Sequence, residues 1–286
     1  MRRANEIKKD TEEIETVEDL TSVFESLAST QVAKIKNKVQ MSQDFFNLLW
    51  GKYISLRVDS DSQITRRQKE DNGRDVYVMI SAEAGLSGDI DLRLIETVLR
   101  GYDPKTTDII VLGTHGAQQL KQRGIHYVGY YKVPMTDTYV DVSPIVEAIR
   151  HYRHVKIYFE EYVSLGAQDI KTIDLIQQIQ TMTKDAEGSS EVISDQETIF
   201  EPSLDEIADI MEDAMMSLAF SQAILESGLA QDASRFSAMS VAKKRAMELV
   251  SLYKLEYHRS KRADNDRRMR EVMISIKRKE RARANA

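Results

Sequence analysis

Both ends of this chain are free of helix breakers. All twelve glycines lie between Gly51 and Gly228, and all four prolines (Pro104, Pro134, Pro144 and Pro202) fall inside the same interval. Glycine and proline interrupt helices more strongly than any other residue, so their exclusion from residues 1–50 and 229–286 predicts a long helix at each end. In the first stretch Ile7, Ile14, Val17, Leu20, Phe24, Leu27, Ile35, Val39, Phe45 and Leu48 recur mostly in steps of three, four or seven, the spacing of one helical face. The second begins at EPSLDEI, where Ser203 and Glu206 make a capping-type Ser-x-x-Glu. Leu204, Ile207, Met211, Met215, Leu218, Gln222 and Leu225 then follow helical steps, and Phe236, Met239, Ala242, Ala246, Leu249, Tyr253 and Tyr257 continue the stripe. The small residues among them allow close approach, which predicts that the two ends pair as an antiparallel coiled coil.

Helices at opposite ends of a chain need a middle that brings them together. VYVMISA (76–82), DIIVLGT (108–114), HYVGYYKV (126–133) and VKIYFEEYV (155–163) are short β-rich runs. They alternate with the helical patterns DIDLRLIETVLRGY, GAQQLKQRG and VSPIVEAIRHY. This order predicts a three-layer, Rossmann-like α/β domain with a mainly parallel sheet, and residues 169–179 are placed antiparallel at its edge. The polar run TKDAEGSSEVISDQET reads as a linker. The expected division is a coiled-coil helix at 1–58, the α/β domain at 74–180, the linker at 181–202 and a second coiled-coil helix at 203–286.

Composition removes several function classes. No run approaches the roughly 18 consecutive apolar residues of a membrane span, and MRRANEIKKDTEEIE has no apolar signal core, so the chain is expected to stay in the compartment where it is made. With zero cysteines, disulfides, thiolate metal sites and cysteine nucleophiles are excluded. The net charge of -6 is unevenly spread: residues 241–286 carry fifteen Lys or Arg against six Asp or Glu. Such a basic end is either a solvated helix face or a partner for phosphates or carboxylates. Within HRSKRADNDRRMRE (258–271) Met269 is the only large apolar residue, and a helix polar all round stands in water or in a polar sleeve.

Candidate chemical sites are few. SAEAGLSGD (81–89) lies after a strand and before a helix, where phosphate loops sit, but it fits neither phosphate-loop pattern, and Glu83 and Asp89 would repel a phosphate. It reads as a tight turn. His115 in GTHG has no partner of catalytic spacing, and His151 and His154 lack acidic co-ligands. Met211, Met215 and Met216 read as core fillers. No catalytic residue, cofactor site or metal site is expected.

Particular residues bring a resemblance. Glu226-Ser227, Ala233 with Arg235, Ala238-Met239, Arg245-Ala246-Met247-Glu248-Leu249 and Leu255-Glu256-Tyr257-His258 resemble the second long helix of the gamma subunit, the central rotor shaft, of rotary ATP synthases. LTSVFESLASTQVAKIK is similar to that family's first helix, with Leu20, Thr21, Glu25, Ala28 and Lys34 in register, and Gly85, Leu86 and Gly88 stand at its glycine turn. The chain departs from the family at Ala230-Gln231-Asp232, at Glu83-Ala84 and in its basic terminus IKRKERARANA.

The resemblance implies a non-catalytic subunit of a proton-translocating F-type ATP synthase, standing inside a ring of alpha and beta subunits. It would be joined through the epsilon subunit to the membrane c-ring, and be peripheral to the cytoplasmic face of a bacterial plasma membrane. By register with the family's contacts, Lys261, Arg262 and Asp266 are placed opposite the acidic catch loop of the beta subunit, with Phe24 facing them from the partner helix. The alternative is a coiled-coil adaptor binding nucleic acid through its basic helix, which steep salt dependence would reveal.

Overall fold

The computed structural model describes residues 4–56, 72–133, 141–174 and 204–284. In chain order the elements are α1 (Ala4–Leu56), β1 (Asp75–Ile80), α2 (Ile90–Arg100), β2 (Thr107–Leu112), α3 (Thr114–Gln122), β3 (Gly129–Tyr131), α4 (Ser143–Ile149), β4 (His154–Ser164), β5 (Ala167–Asp174) and α5 (Leu204–Ala284). The chain divides into two units, one of Met1–Ser26 with Ala238–Ala286 and one of Leu27–Ser237.

The larger unit is built on a five-stranded sheet of order β3-β2-β1-β4-β5. β1 pairs in parallel with β2 and β4, β3 joins β2 in parallel, and β5 returns antiparallel beside β4. Alternation along the strands divides the apolar residues between two faces. Val76, Val78, Ile80, Ile110, Leu112, Val155, Ile157 and Phe159 point to one, where Ile145, Val146 and Ile149 of α4 meet Met216, Phe220, Ala223 and Ile224 of α5. Tyr77, Met79, Ile109, Val111 and Tyr158 point to the other, covered by Leu94, Ile95 and Val98 of α2 and by Ala117 and Leu120 of α3. The winding moves from β1 to β3 in one direction and then returns across β1 to β4. Right-handed crossovers therefore put α2 and α3 on one face and α4 on the other.

These are the three layers the sequence implies, with one addition. The early turns of α5, read from sequence as coiled coil, also complete a layer of the α/β domain. Met215 and Met216 are buried, as core fillers should be, whereas Met211 is only half-buried. β3 is shorter than the expected 126–133, because it lies at an edge with a partner on one side only. Gly113 ends β2 at φ 99, and a Cβ there would stand 2.1 Å from the Ser81 carbonyl oxygen, so only glycine fits. The continuation of the edge strand over 175–179, the linker at 181–202 and the cap at Ser203 lie outside the described residues.

α1 also contributes to the larger unit. Val32, Ile35 and Val39 pack with Leu229 and Ala233 of α5 and Tyr162 of β4. The register here is antiparallel, with Gln43 opposite Gln222. Phe45 and Leu48, expected on the same face as Ile35 and Val39, are exposed instead.

Phe220, fully buried between α5 and the sheet, anchors this packing. Phe220→Ala is expected to cost about 3–5 kcal/mol of stability in urea unfolding of the full chain. Phe45→Ala, at an exposed position, is expected to stay within about 0.5 kcal/mol.

Candidate functional site

Because winding reverses at β1, the sheet opens a crevice at the carboxyl ends of β1 and β4, the place where α/β domains receive ligands. In this chain α5 occupies it. β4 runs on past Tyr158, its last partner on β1, and carries Glu160 into the crevice. Ser227 Oγ donates to Glu160 Oε2 at 3.0 Å, and Gln231 Nε2 donates to the same oxygen at 2.7 Å. One turn on, Ser234 Oγ donates to the Ser87 carbonyl at 2.6 Å. The Arg235 guanidinium, paired with Asp232, reaches the carbonyls of Ala84 at 3.4 Å and Gly85 at 3.5 Å.

The turn SAEAGLSGD is thus shaped by Leu86 and Gly88, both near φ 70, and offers its carbonyls to α5. A phosphate loop offers N–H groups instead. Glu83 pins the neighbouring turn, accepting from the Val133 amide at 2.5 Å and from the Thr114 hydroxyl. His115 is not isolated: its Nδ1 lies 3.0 Å from Asp91 Oδ2. Asp91 also accepts from the Ala82 amide at 3.0 Å and the Ser87 hydroxyl at 2.9 Å. Burial, and then the Asp91 carboxyl beside it, push the carboxyl of the fully buried Glu160 well above its ordinary range.

In the smaller unit α1 and α5 meet in a two-stranded antiparallel seam. Lys254 Nζ lies 2.7 Å from Glu15 and Lys243 Nζ 2.9 Å from Glu25, so the helices run in opposite directions. Along α1 the inward residues are Ile7, Thr11, Ile14, Glu18, Thr21 and Glu25; along α5 they are Met239, Lys243, Ala246, Val250, Tyr253, Tyr257 and Ser260. Both sets follow the three-four alternation of a heptad. Thr11 and Thr21 donate their hydroxyls to the Ile7 and Glu18 carbonyls of their own helix, which satisfies them inside the seam. The Lys243 ammonium holds the Glu25 carboxyl below its ordinary range.

Two expectations change here. The large apolar residues Val17, Leu20 and Phe24 of α1 are not in the seam: they are exposed, with Val23, on the adjoining face. On α5 Val250 is buried and Leu249 is exposed. Phe24 also does not face Lys261 and Arg262. Its neighbour Glu25 stands opposite Lys243, so Phe24 is level with residue 244, some eighteen residues from Arg262 or about 27 Å along the helix. Lys261, Arg262 and Asp266 are exposed near the end of the paired region, with Lys261 Nζ 5.6 Å from the Tyr257 ring centre. From Asn265 onward every described side chain of α5 is exposed.

Sequence reasoning missed Glu160, Asp91 and Ser234, and met Ser227 only in the Glu226-Ser227 resemblance, without its bond to Glu160. An acidic residue directly after the apolar run VKIYF was the available signal, but β4 goes on to exposed residues at Val163 and Ser164, so the sequence alone did not say on which side of that boundary Glu160 falls. Among the described residues no three His, Asp or Glu side chains converge on a metal position, and no helix is long and apolar enough to cross a membrane.

Comparison with known proteins gives a consistent picture. The sequence profile of a family described as ATP synthase matches residues 3–273. An ATP synthase gamma chain from Malacoplasma penetrans is 22% identical, over 97% of this chain and 99% of its own length. One from Halothermothrix orenii is also 22% identical, over 96% and 98%. Among solved structures, a rotor chain of the Euglena gracilis mitochondrial ATP synthase superposes with a TM-score of 0.63 at 16% identity, covering 91% of this chain and 98% of that one.

The register can be read by cross-linking, since the chain has no cysteine of its own. Cysteines at Glu15 and Lys254 are expected to link through a short bifunctional thiol reagent, and cysteines at Phe24 and Arg262 are not. Linking of the second pair would overturn the register.

Proposed function

We propose a mechanical role for this chain, which belongs to the ATP synthase family: it is the gamma subunit, the central-stalk rotor of a proton-translocating F-type ATP synthase. The observation that carries this reading is the antiparallel seam made by the two ends of a chain that spans nearly the whole length of its gamma relatives. Two helices wound together resist twisting better than one, and torque transmission needs no nucleophile, acid or base on the shaft. The chain is therefore not catalytic by itself; the reaction belongs to the complex.

In this reading the alpha and beta subunits surround the shaft, and the epsilon subunit and c-ring hold its foot. As the shaft turns, each catalytic subunit meets a different face. Only contacts that differ between its states move its populations. The exposed apolar row Val17, Leu20, Val23 and Phe24 supports such a surrounding, because large apolar groups turned away from a helix's own partner suit a second partner. Lys261, Arg262 and Asp266 remain the residues assigned to the acidic catch loop of the beta subunit, and Phe24 becomes a separate contact further along the shaft. The bacterial origin of the gamma relatives supports a peripheral position on the cytoplasmic face of a plasma membrane, held through the complex. In this reading the coiled-coil helices are assigned to 1–58 and 203–286, the α/β domain to 74–180 and the linker to 181–202. The nucleic-acid reading of the basic helix is set aside by the family match.

Tagged chain recovered from native membranes is expected to bring alpha and beta subunits with ATPase activity; recovery of the chain alone would overturn the proposal. In that complex Lys261→Glu with Arg262→Glu is expected to reduce coupled ATP turnover roughly 5- to 30-fold, the equivalent of about 1–2 kcal/mol for partly desolvated charge pairs.

A further inference from the structure

We propose that Glu160 and Asp91 share a proton and thereby latch α5 into the crevice of the sheet, so that the seating of this helix weakens as pH rises. Glu160 is fully buried, and its Oε2 is taken by Ser227 and Gln231 of α5. Its Oε1 is buried with no hydrogen-bond partner. The carboxyl that interacts with it, Asp91, is itself buried and already engages the Ala82 amide, the Ser87 hydroxyl and His115 Nδ1. An orphan carboxyl oxygen next to a second carboxyl, away from water, is the arrangement that a shared proton satisfies: the O–H of Glu160 donates to Asp91, and Oε2 stays free to accept from α5.

The groups around Glu160 do not offer another solution. On β4 and β5, Glu161 is paired with Lys171. On α5, Glu226 lies 4.0 Å from Lys171, and Asp232 is paired with Arg235. Glu83 is held by Thr114 and Val133, and α1 brings the apolar Val32, Ile35 and Val39 to the adjoining cluster. The one histidine at the site, His115 of α3, is engaged by Asp91, its Nδ1 3.0 Å from Asp91 Oδ2. Among the described residues no Lys or Arg pairs with Glu160, so a charged Glu160 would stand uncompensated in the joint.

The direction of the pH dependence follows. With α5 lifted away, Glu160 meets water and its carboxyl falls back toward the ordinary carboxylate range. With α5 seated it keeps its proton to higher pH. The seated state thus binds one more proton, and seating is strongest at acid pH. Between the two values the opening equilibrium rises about tenfold per pH unit, and it levels off once the seated acid itself ionises. Gln231 and Ser227 oppose the shift through their bonds to Oε2, but they do so only while α5 is in place.

Hydrogen exchange of the full chain tests this, following amides of residues 222–236 from about pH 5.5 to about pH 8 and correcting for intrinsic exchange. Opening in the wild-type chain is expected to rise about tenfold per pH unit over part of this range. In Glu160→Gln, whose amide donates to Asp91 and accepts from α5 without titrating, the slope is expected to vanish. A wild-type chain without the slope, or a Glu160→Gln chain that retains it, overturns the proposal. Should Glu160→Gln leave α5 unseated at every pH, the protonation state of Glu160 in the wild-type chain decides: a protonated Glu160 at about pH 6 supports the latch and an ionised one overturns it. Carboxyl carbon NMR of the labelled wild-type chain adds a direct readout, and an ionised Glu160 at about pH 6 would also overturn the proposal.

Discussion

The packing of Met216, Phe220, Ala223 and Ile224 against the sheet is the contact on which the larger unit depends. α4 is seven residues long and buries only Ile145, Val146 and Ile149, too little to cover one face of three parallel strands. A face of exposed Val, Ile and Phe would be costly in water at about 25 cal/mol per Å², so a second helix is required there. Once α5 lies on that face, continuing the helix takes it past the carboxyl ends of the strands and into the crevice. Filling the crevice is therefore a geometric consequence of covering the sheet. The polar residues Ser227, Gln231, Ser234 and Arg235 are what make the passage tolerable, because each meets a buried or turn oxygen that would otherwise go unsatisfied.

The seam of the smaller unit inverts a common arrangement. Thr11, Glu18, Thr21 and Glu25 stand in heptad positions that a stability-driven coiled coil would fill with Leu or Val, and the bulky Val17, Leu20 and Phe24 lie one position round the helix. Polar seam positions cost stability and fix register, and the ion pairs Glu15–Lys254 and Glu25–Lys243 do so here. The helix is thus apolar toward its surroundings and mixed toward its partner, which suits a shaft held inside other subunits.

The architecture was legible because breakers, periodicity and strand–helix alternation are local signals, each carried by short windows of sequence. The two long helices, the parallel sheet and its antiparallel edge all follow from them. The face of α1 was not legible in the same way. Ile7, Thr11 and Ile14 form one heptad row and Val17, Leu20 and Phe24 another, displaced by a single residue, so apolar residues alone merge the two. Only the position of the partner helix separates them. The expected meeting of Phe24 with Arg262 failed for the same reason, since register is a property of two segments more than 200 residues apart in the chain and no window contains both. The crevice was invisible because Glu160, Asp91 and Ser227 belong to three elements that only the fold assembles. The departures from the family at Gln231 and Asp232 fall within it, but only the fold shows that α5 meets Glu160 through the first and steadies Arg235 through the second.

The exposed run of α5 beyond Asp264 carries a mechanical corollary. A pair of intertwined helices shares a twisting load across its seam, whereas a lone helix bears the whole of it through its own backbone hydrogen bonds. For an equal couple applied along the molecule, angular strain accumulates in the more compliant part. Any couple that reaches the arginine- and lysine-rich last turns is thus carried by the backbone hydrogen bonds of one helix, and these turns twist further per residue than the paired region does.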